Sequence, residues 1–212
     1  MTTRRKFLHD ATRGAAGLGV AAMLPSELLA SPLADPRRAT GTGFYYDPRC
    51  LEHVVPAASS GAPRPEVKER LIRIMEVLGE RGLLDEMRTV EAHADPLPYI
   101  RAHHTPEHVA AIREIPVTGP LAELAVAGAL GAVDAVMAGD VRNAFVAIRP
   151  PGHHANNTGA EEGFCYYSNA AITARFAQRA YGLERVAIID WDYHHGNATQ
   201  NAFYDDPSVL FY

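Results

Sequence analysis

Two histidine doublets and two aspartates hold the reactive side chains of this chain. His153-His154 follow Arg149-Pro150-Pro151-Gly152 at the end of the apolar run 144–148. Asp190, Asp192, His194 and His195 follow a second apolar run, 186–189, within Ile188-Ile189-Asp190-Trp191-Asp192-Tyr193-His194-His195-Gly196-Asn197. In extended chain the side chains at i, i+2 and i+4 point the same way, so Asp190, Asp192 and His194 are expected on one side and Trp191 and Tyr193 on the other. A carboxylate and an imidazole converging at a strand end make half of a catalytic zinc site. The upstream doublet leaves its strand in a direction restricted by Pro150, Pro151 and the turn at Gly152. Imidazoles titrate near neutrality and can take and deliver protons. The chemistry implied is metal-assisted hydrolysis with histidine acid–base groups.

For the doublets to meet, the intervening chain must return to the same edge of a sheet. Residues 169–180 predict a helix with Ile172, Phe176 and Ala180 on one face, stopped by Gly182. Strand, helix, strand is a βαβ unit, which sets its two strands parallel, and open α/β sheets bind ligands at the carboxyl ends of their strands. Other expected elements are a strand over 44–46, a loop over 47–64, a helix over 65–79 and a short helix over 106–114 capped by Thr105. A long Ala-rich helix over 123–138 suits packing on a sheet. In the 65–79 helix, Val67, Leu71, Ile74 and Leu78 face inward, and Lys68, Glu69, Arg70 and Arg73 form a solvated face. The fold class is α/β, three layers α/β/α around a mainly parallel sheet.

Three words in the chain carry a family resemblance: Arg149-Pro-Pro-Gly-His-His-Ala155, Gly163-Phe-Cys-Tyr166, and Asp190-Trp-Asp-Tyr-His-His-Gly-Asn197 with Thr199-Gln200. Weaker matches are Thr42-Gly-Phe-Tyr-Tyr-Asp47, Arg64-Pro65 with Glu69-Arg-Leu71, His103-His-Thr-Pro-Glu-His108, and Asp206-Pro-Ser-Val-Leu210. Over about residues 42–212 the chain resembles the zinc-dependent histone deacetylase and acetylpolyamine amidohydrolase superfamily, in the wording of its class II and bacterial branch. The resemblance implies an arginase/deacetylase-like fold and removal of acetyl or other acyl groups from amines such as acetylpolyamines or acetyl-lysine. It implies that Asp192 and His194 bind zinc (iron being the other candidate metal) and that His153 and His154 are the catalytic pair. Asp190 would orient His153 and belong to a structural potassium site, with backbone oxygens of Asp192 and His194. Asn197 would partner His154, and Gly163 and Phe164 would line the substrate tunnel. Ser168 and His108 depart from the usual residues, and the loop 154–163 is one residue longer than in some relatives.

The same resemblance implies a second zinc-binding aspartate and an oxyanion-binding tyrosine, both beyond residue 212. Asp134 and Asp140 match no family ligand. The chain is therefore expected to be the amino-terminal part of a longer enzyme, with weak zinc binding, little turnover and an exposed edge at its last strand. A non-catalytic relative that binds a metal or an amine is the alternative. An arginase-like centre with two manganese ions would need more aspartates at this strand end.

Thr3-Arg4-Arg5-Lys6-Phe7-Leu8, the apolar stretch 15–24 and small residues at Ala30 and Ala34 read as a twin-arginine export signal over 1–34, followed by a linker at 35–41. The expected destination is the bacterial periplasm or the exterior, reached through the twin-arginine machinery. The stretch is too short to span a bilayer of about 30 Å. Residues 1–34 hold four basic and two acidic residues, so the remaining chain carries a net charge of −7. That balance argues against nucleic acid, whose phosphates need clustered Lys and Arg, and is compatible with a cationic substrate. Cys50 and Cys165 have no CxxC spacing and are expected as reduced, buried thiols.

Overall fold

The computed structural model describes residues 39–55 and 64–212. The export signal read in residues 1–34 lies outside them. Strand β1 (Thr42–Tyr46) pairs in parallel with β2 (Arg88–Thr89) on one side and β3 (Asn143–Ala147) on the other. A second parallel pair is β4 (Val186–Ile188) and β5 (Val209–Phe211). The helices are α1 (Glu69–Glu80), α2 (Leu83–Glu86), α3 (Leu97–His103), α4 (Pro106–Arg113), α5 (Thr118–Met137), α6 (Asn169–Tyr181) and α7 (Asn197–Phe203). A 3₁₀ turn spans Pro48–Glu52.

The aromatic alternation along β1 assigns the two faces of the sheet. Tyr45 packs with Ala132 and Ala135 of α5. Phe44 and Tyr46 point the other way, toward Leu71 and Ile74 of α1 and Cys50. Alternation continues in β3, where Ala144 and Val146 join the α5 side and Ala147 the α1 side. Helices thus cover both faces, the α/β/α layering expected. The Ala and Gly content of α5 lets it lie close to the strand: a Cβ at Gly128 would strike the ring of Tyr45. By length and composition α5 would also cross a membrane, but here Leu121, Ala122, Ala125, Val126 and Leu130 are buried in the protein.

A second core, around Ile100, Val109, Ile112, Val126, Leu130, Ile172 and Phe176, holds Tyr166 and Tyr167 in place. α6 runs as expected and stops at Gly182, whose φ of 67° is the left-handed conformation that ends helices. α4 is capped by Thr105, whose Oγ1 accepts the His108 N–H at 3.3 Å.

Three expectations about these elements are corrected. β3 and β4, expected to end along one sheet edge, lie in separate ladders among the described residues, β2-β1-β3 and β4-β5. The crossover helix between them is about 10 Å across while paired strands sit about 4.8 Å apart, so a crossover can leave a gap in the strand layer. α5 begins at Thr118, five residues before the expected start at 123, just after Val117 turns the chain with a φ of 64°. α1 begins at Glu69 rather than Pro65, because Glu66 is drawn inward by Arg149. The guanidinium of Arg149 grips Glu66 with two bonds of 2.6 Å, Nε to Oε1 and Nη2 to Oε2. It also donates to the carbonyls of Cys50 at 3.1 Å and His53 at 3.2 Å. Arg149 and Glu66 are each only 3% exposed. Burial keeps His53, beside this pair, below its ordinary pKa, so the buried cation that neutralises Glu66 is Arg149, with the exposed Arg70 farther off at 3.8 Å.

Arg149→Met should therefore lower stability by about 3–5 kcal/mol, since a carboxylate would be left buried without its cation. Arg149→Met combined with Glu66→Leu should recover at least half of that loss. Urea unfolding of both variants checks this.

Candidate active site

β3 delivers the first doublet and β4 the second. Asp190 lies two residues beyond β4, and its N–H donates to the Tyr212 carbonyl at 2.7 Å, continuing the pairing with β5. Residues 192–194 are bent rather than extended, although the two sides expected of 190–194 are kept. The cause is local: Asp190 Oδ1 accepts the Asp192 N–H at 3.1 Å, and Asp192 Oδ1 accepts the His194 N–H at 2.8 Å. Aspartates bonding the backbone two residues on replace extended chain by successive turns. Trp191 and Tyr193 point outward, 91% and 97% exposed, while Asp190, Asp192 and His194 turn toward the first doublet.

Hydrogen bonds join the two loops. Asp190 Oδ2 accepts from His153 Nδ1 at 2.9 Å, and Asn197 Oδ1 accepts from His154 Nδ1 at 2.6 Å. The His153 carbonyl accepts the Ala198 N–H at 3.0 Å, capping the first turn of α7. With Nδ1 donating in both rings, each Nε2 is the free nitrogen. The rings lie 4.1 Å apart, centroid to centroid.

Asp192 Oδ1 and His194 Nδ1 are 3.3 Å apart. Two donors each about 2.0–2.1 Å from one tetrahedral ion would be separated by about this distance. His153 Nε2 is 4.0 Å from the same oxygen. The Asp192 carboxyl sits below the ordinary carboxylate pKa, chiefly through the His194 backbone N–H, with desolvation opposing. It is therefore the anion a metal requires. Among the described residues no group of three or more His, Cys, Asp or Glu is gathered for a metal ion. The pair fits as two ligands of a zinc ion, with its side chains 45% and 68% exposed.

Residues 64–212 match the histone deacetylase domain. The chain belongs to the histone deacetylase family. It is 37% identical over 171 residues to the rat protein named polyamine deacetylase HDAC10, covering 69% of this chain and 28% of that one. It is 34% identical over 197 residues to the histone deacetylase-like amidohydrolase of Pseudomonas aeruginosa, covering 80% and 51%. With a probable deacetylase of Archaeoglobus fulgidus the identity is 38% over 187 residues, covering 80% and 50%. The solved HDA15 HD domain superposes with a TM-score of 0.75 at 32% identity, covering 81% of this chain and 52% of that one. The chain thus spans about half the length, or less, of these relatives.

Around the two doublets, Gly163 and Phe164, expected along a substrate tunnel, are joined by Gly196 and Glu161, to which the motifs assign no role. Gly196 allows the His153–Asp190 bond, because a Cβ there would meet the Asp190 carboxylate and the His153 ring. Gly163, at φ 52°, leaves no room for a Cβ beside the His154 ring. Phe164 follows at φ 71°, a conformation that costs a non-glycine residue about 1 kcal/mol or more. Its N–H is held by Glu161 Oε1 at 2.6 Å, and the Arg64 guanidinium lies 5.4 Å above its ring. Cys50 and Cys165 are free and buried, as expected. Burial pushes the Cys165 thiol up to about 12, so it is no nucleophile at neutral pH.

The loop that carries this wall is pinned by His104 and His108, stacked 4.5 Å apart. His104 Nδ1 donates to Asn157 Oδ1 at 3.0 Å, and its Nε2 accepts the Ser168 N–H at 3.0 Å. His108 Nε2 donates to the Tyr166 carbonyl at 2.7 Å, and its Nδ1 accepts the Gly159 N–H at 2.9 Å. Each ring nitrogen has its partner only while both rings are neutral. Asp134, matched to no ligand in the sequence, instead receives His93 Nδ1 at 2.6 Å and the Tyr181 hydroxyl.

Burial, reinforced by His103, pushes His104 down to about 3, against about 6.5 in unfolded chain. Between those values the unfolded chain binds the extra proton, so stability rises with pH, is complete above about 6.5 and is lost as pH falls. Lowering pH from 7 to 5 should cost about 2 kcal/mol through this histidine. His104→Gln should flatten that part of the slope, read as denaturant midpoints across pH.

Proposed function

We propose that these residues serve a metal-dependent amidohydrolase that removes acetyl or other acyl groups from acylated amines, acetylpolyamines or acetyl-lysine peptides. The observation that carries the reading is the paired geometry of the doublet. Both imidazoles are tied back through Nδ1, one by a carboxylate and one by an amide, His153 Nε2 lies 4.0 Å from Asp192 Oδ1, and the His154 ring centroid is 6.1 Å from that of His194. A bound zinc ion would polarise the substrate carbonyl and lower the pKa of a water to about 7. Asp192 and His194 would hold that ion, and iron(II) would suit the same donors.

The two histidines then divide the proton work. Asp190 orients His153 through Nδ1 so that its Nε2 lies 4.0 Å from Asp192 Oδ1, which suits the group that takes the proton from the attacking water. Asn197 orients His154 through Nδ1 beside the first ring, which suits delivery of a proton to the departing amine. Gly163 and Phe164, beside the His154 ring, would form the wall along the acyl-amine chain. Asp190, with the carbonyls of Asp192 and His194, would hold a structural potassium ion. A net charge of −7 beyond residue 34 favours a cationic amine over an anionic substrate.

The exposure of Asp192 and His194 supports a second reading, a member that binds metal or amine without turnover. Zinc titration by calorimetry together with an acetylpolyamine and acetyl-lysine assay separates the two. Asp192→Ala and His194→Ala should each weaken zinc binding about tenfold or more, whereas His154→Ala should leave it within about twofold. If hydrolysis occurs, His154→Ala should lower kcat by about 10²–10⁴. Stoichiometric zinc with no hydrolysis would favour the binding reading. Zinc affinity indifferent to Asp192 and His194 would overturn both.

A further inference from the structure

A tight hairpin lays Gly163 and Phe164 against the doublet. At its base the Cys165 N–H donates to the Glu162 carbonyl at 2.8 Å, and the Glu162 N–H to the Cys165 carbonyl at 3.0 Å. The two residues between them both have positive φ, 52° at Gly163 and 71° at Phe164. Two positive values across a two-residue loop are the pattern of a type I′ turn, whose second position is ordinarily glycine. Here that position holds phenylalanine. A bulky residue stays in this conformation only where its surroundings hold it there.

Two adjacent glutamates hold the hairpin at opposite ends. Glu162 fixes the base: its Oε2 accepts the Asn156 N–H at 2.8 Å and the Thr158 hydroxyl at 3.2 Å. Asn156 in turn donates through Nδ2 to the His154 carbonyl at 3.2 Å and accepts from Asn201 of α7 at 3.1 Å. Glu161 fixes the tip, where its Oε1 accepts the Phe164 N–H at 2.6 Å. An ionised acceptor makes this one of the stronger kinds of hydrogen bond. Glu161 is half-buried. Burial first, and the Glu161 charge second, raise the Tyr166 hydroxyl to about 12, so the carboxylate acts inward. The Arg64 guanidinium, 5.4 Å from the Phe164 ring, supports the side chain; the backbone is held by Glu161. The tip abuts the catalytic candidates, since a Cβ on Gly163 would strike the His154 ring.

We propose that Glu161 is a positioning residue: by holding the Phe164 N–H it keeps Phe164 left-handed and so sets the spacing between the Phe164 ring and the His154 imidazole. Glu161 lies outside the word Gly163-Phe-Cys-Tyr166. The consequence for substrate, a fixed width for the acyl-amine passage, rests on the hydrolase reading; the positioning itself does not.

The test uses the full 212-residue chain without metal or substrate. Amide exchange at Phe164 is expected to be slowed about tenfold or more relative to unstructured chain. Glu161→Ala should remove most of that protection and shift the resonance of the proton on His154 Cδ2 as the aromatic ring moves away. Glu161→Gln keeps an oxygen acceptor and should restore both. In an acetyl-lysine peptide assay, Glu161→Ala should raise KM about tenfold with kcat within about threefold, and Glu161→Gln should bring KM back to within about threefold. An unprotected Phe164 N–H in the unsubstituted chain, a measurement that needs no variant to fold, would overturn the proposal. So would a Gln variant that behaves like the Ala variant, a His154 resonance indifferent to Glu161→Ala, or a fall in kcat with KM unchanged. Absence of hydrolysis would count against the hydrolase reading alone, because exchange and resonance decide the role of Glu161 without turnover.

Discussion

The candidate site rests on how the first turn of α7 finds its hydrogen-bond acceptors. A helix begins with N–H groups that no residue within it can satisfy, and a polar side chain at the cap usually does so. Here the cap is Gly196, which has no side chain, and the His153 carbonyl takes the Ala198 N–H instead. A requirement of helix geometry thereby ties the loop after β3 to the loop after β4. The two side-chain bonds, His153 to Asp190 and His154 to Asn197, add to that link. A side chain at Gly196 would lose twice over, by blocking the approach of Asp190 and by competing for the N–H groups that hold His153.

Rigid supports reach the doublet from two directions. From one side, the buried Arg149–Glu66 pair anchors the backbone just before Pro150 and binds it to the segment around Cys50 and His53. From the other, the stacked His104 and His108 hold Asn157, Gly159, Tyr166 and Ser168, so the loop leaving the doublet is fixed at both ends. The doublet thus sits between a charged anchor and a second one built from stacked imidazoles. The second is sensitive to acid through His104, because a proton on its Nε2 would face the Ser168 N–H.

Much of this was legible in the sequence, and what was not has a common cause. The helix over 169–181 could be read because its apolar period and its terminal glycine agree. The doublets and their second partners could be read because the chemistry confines them to short, dense words. Glu66 could not, since its role depends on an arginine 83 residues away, although a charged Arg149 between an apolar run and two prolines was itself a sign that a buried partner exists. The bends at 192–194 come from aspartates whose side chains compete for nearby N–H groups, and they keep the two sides that alternation predicts. The separation of β3 from β4 was missed because a crossover fixes the relative direction of two strands but not how many strands lie between them.

Cys165 lies in the same short word as the tunnel residues, yet its sulfur is wholly enclosed and its proton is held far above neutrality. Alkylating agents and mild oxidants act on thiolates, and this residue offers none in the folded protein. Covalent labels aimed at cysteine would accordingly report the loss of native packing, not occupancy of the candidate site.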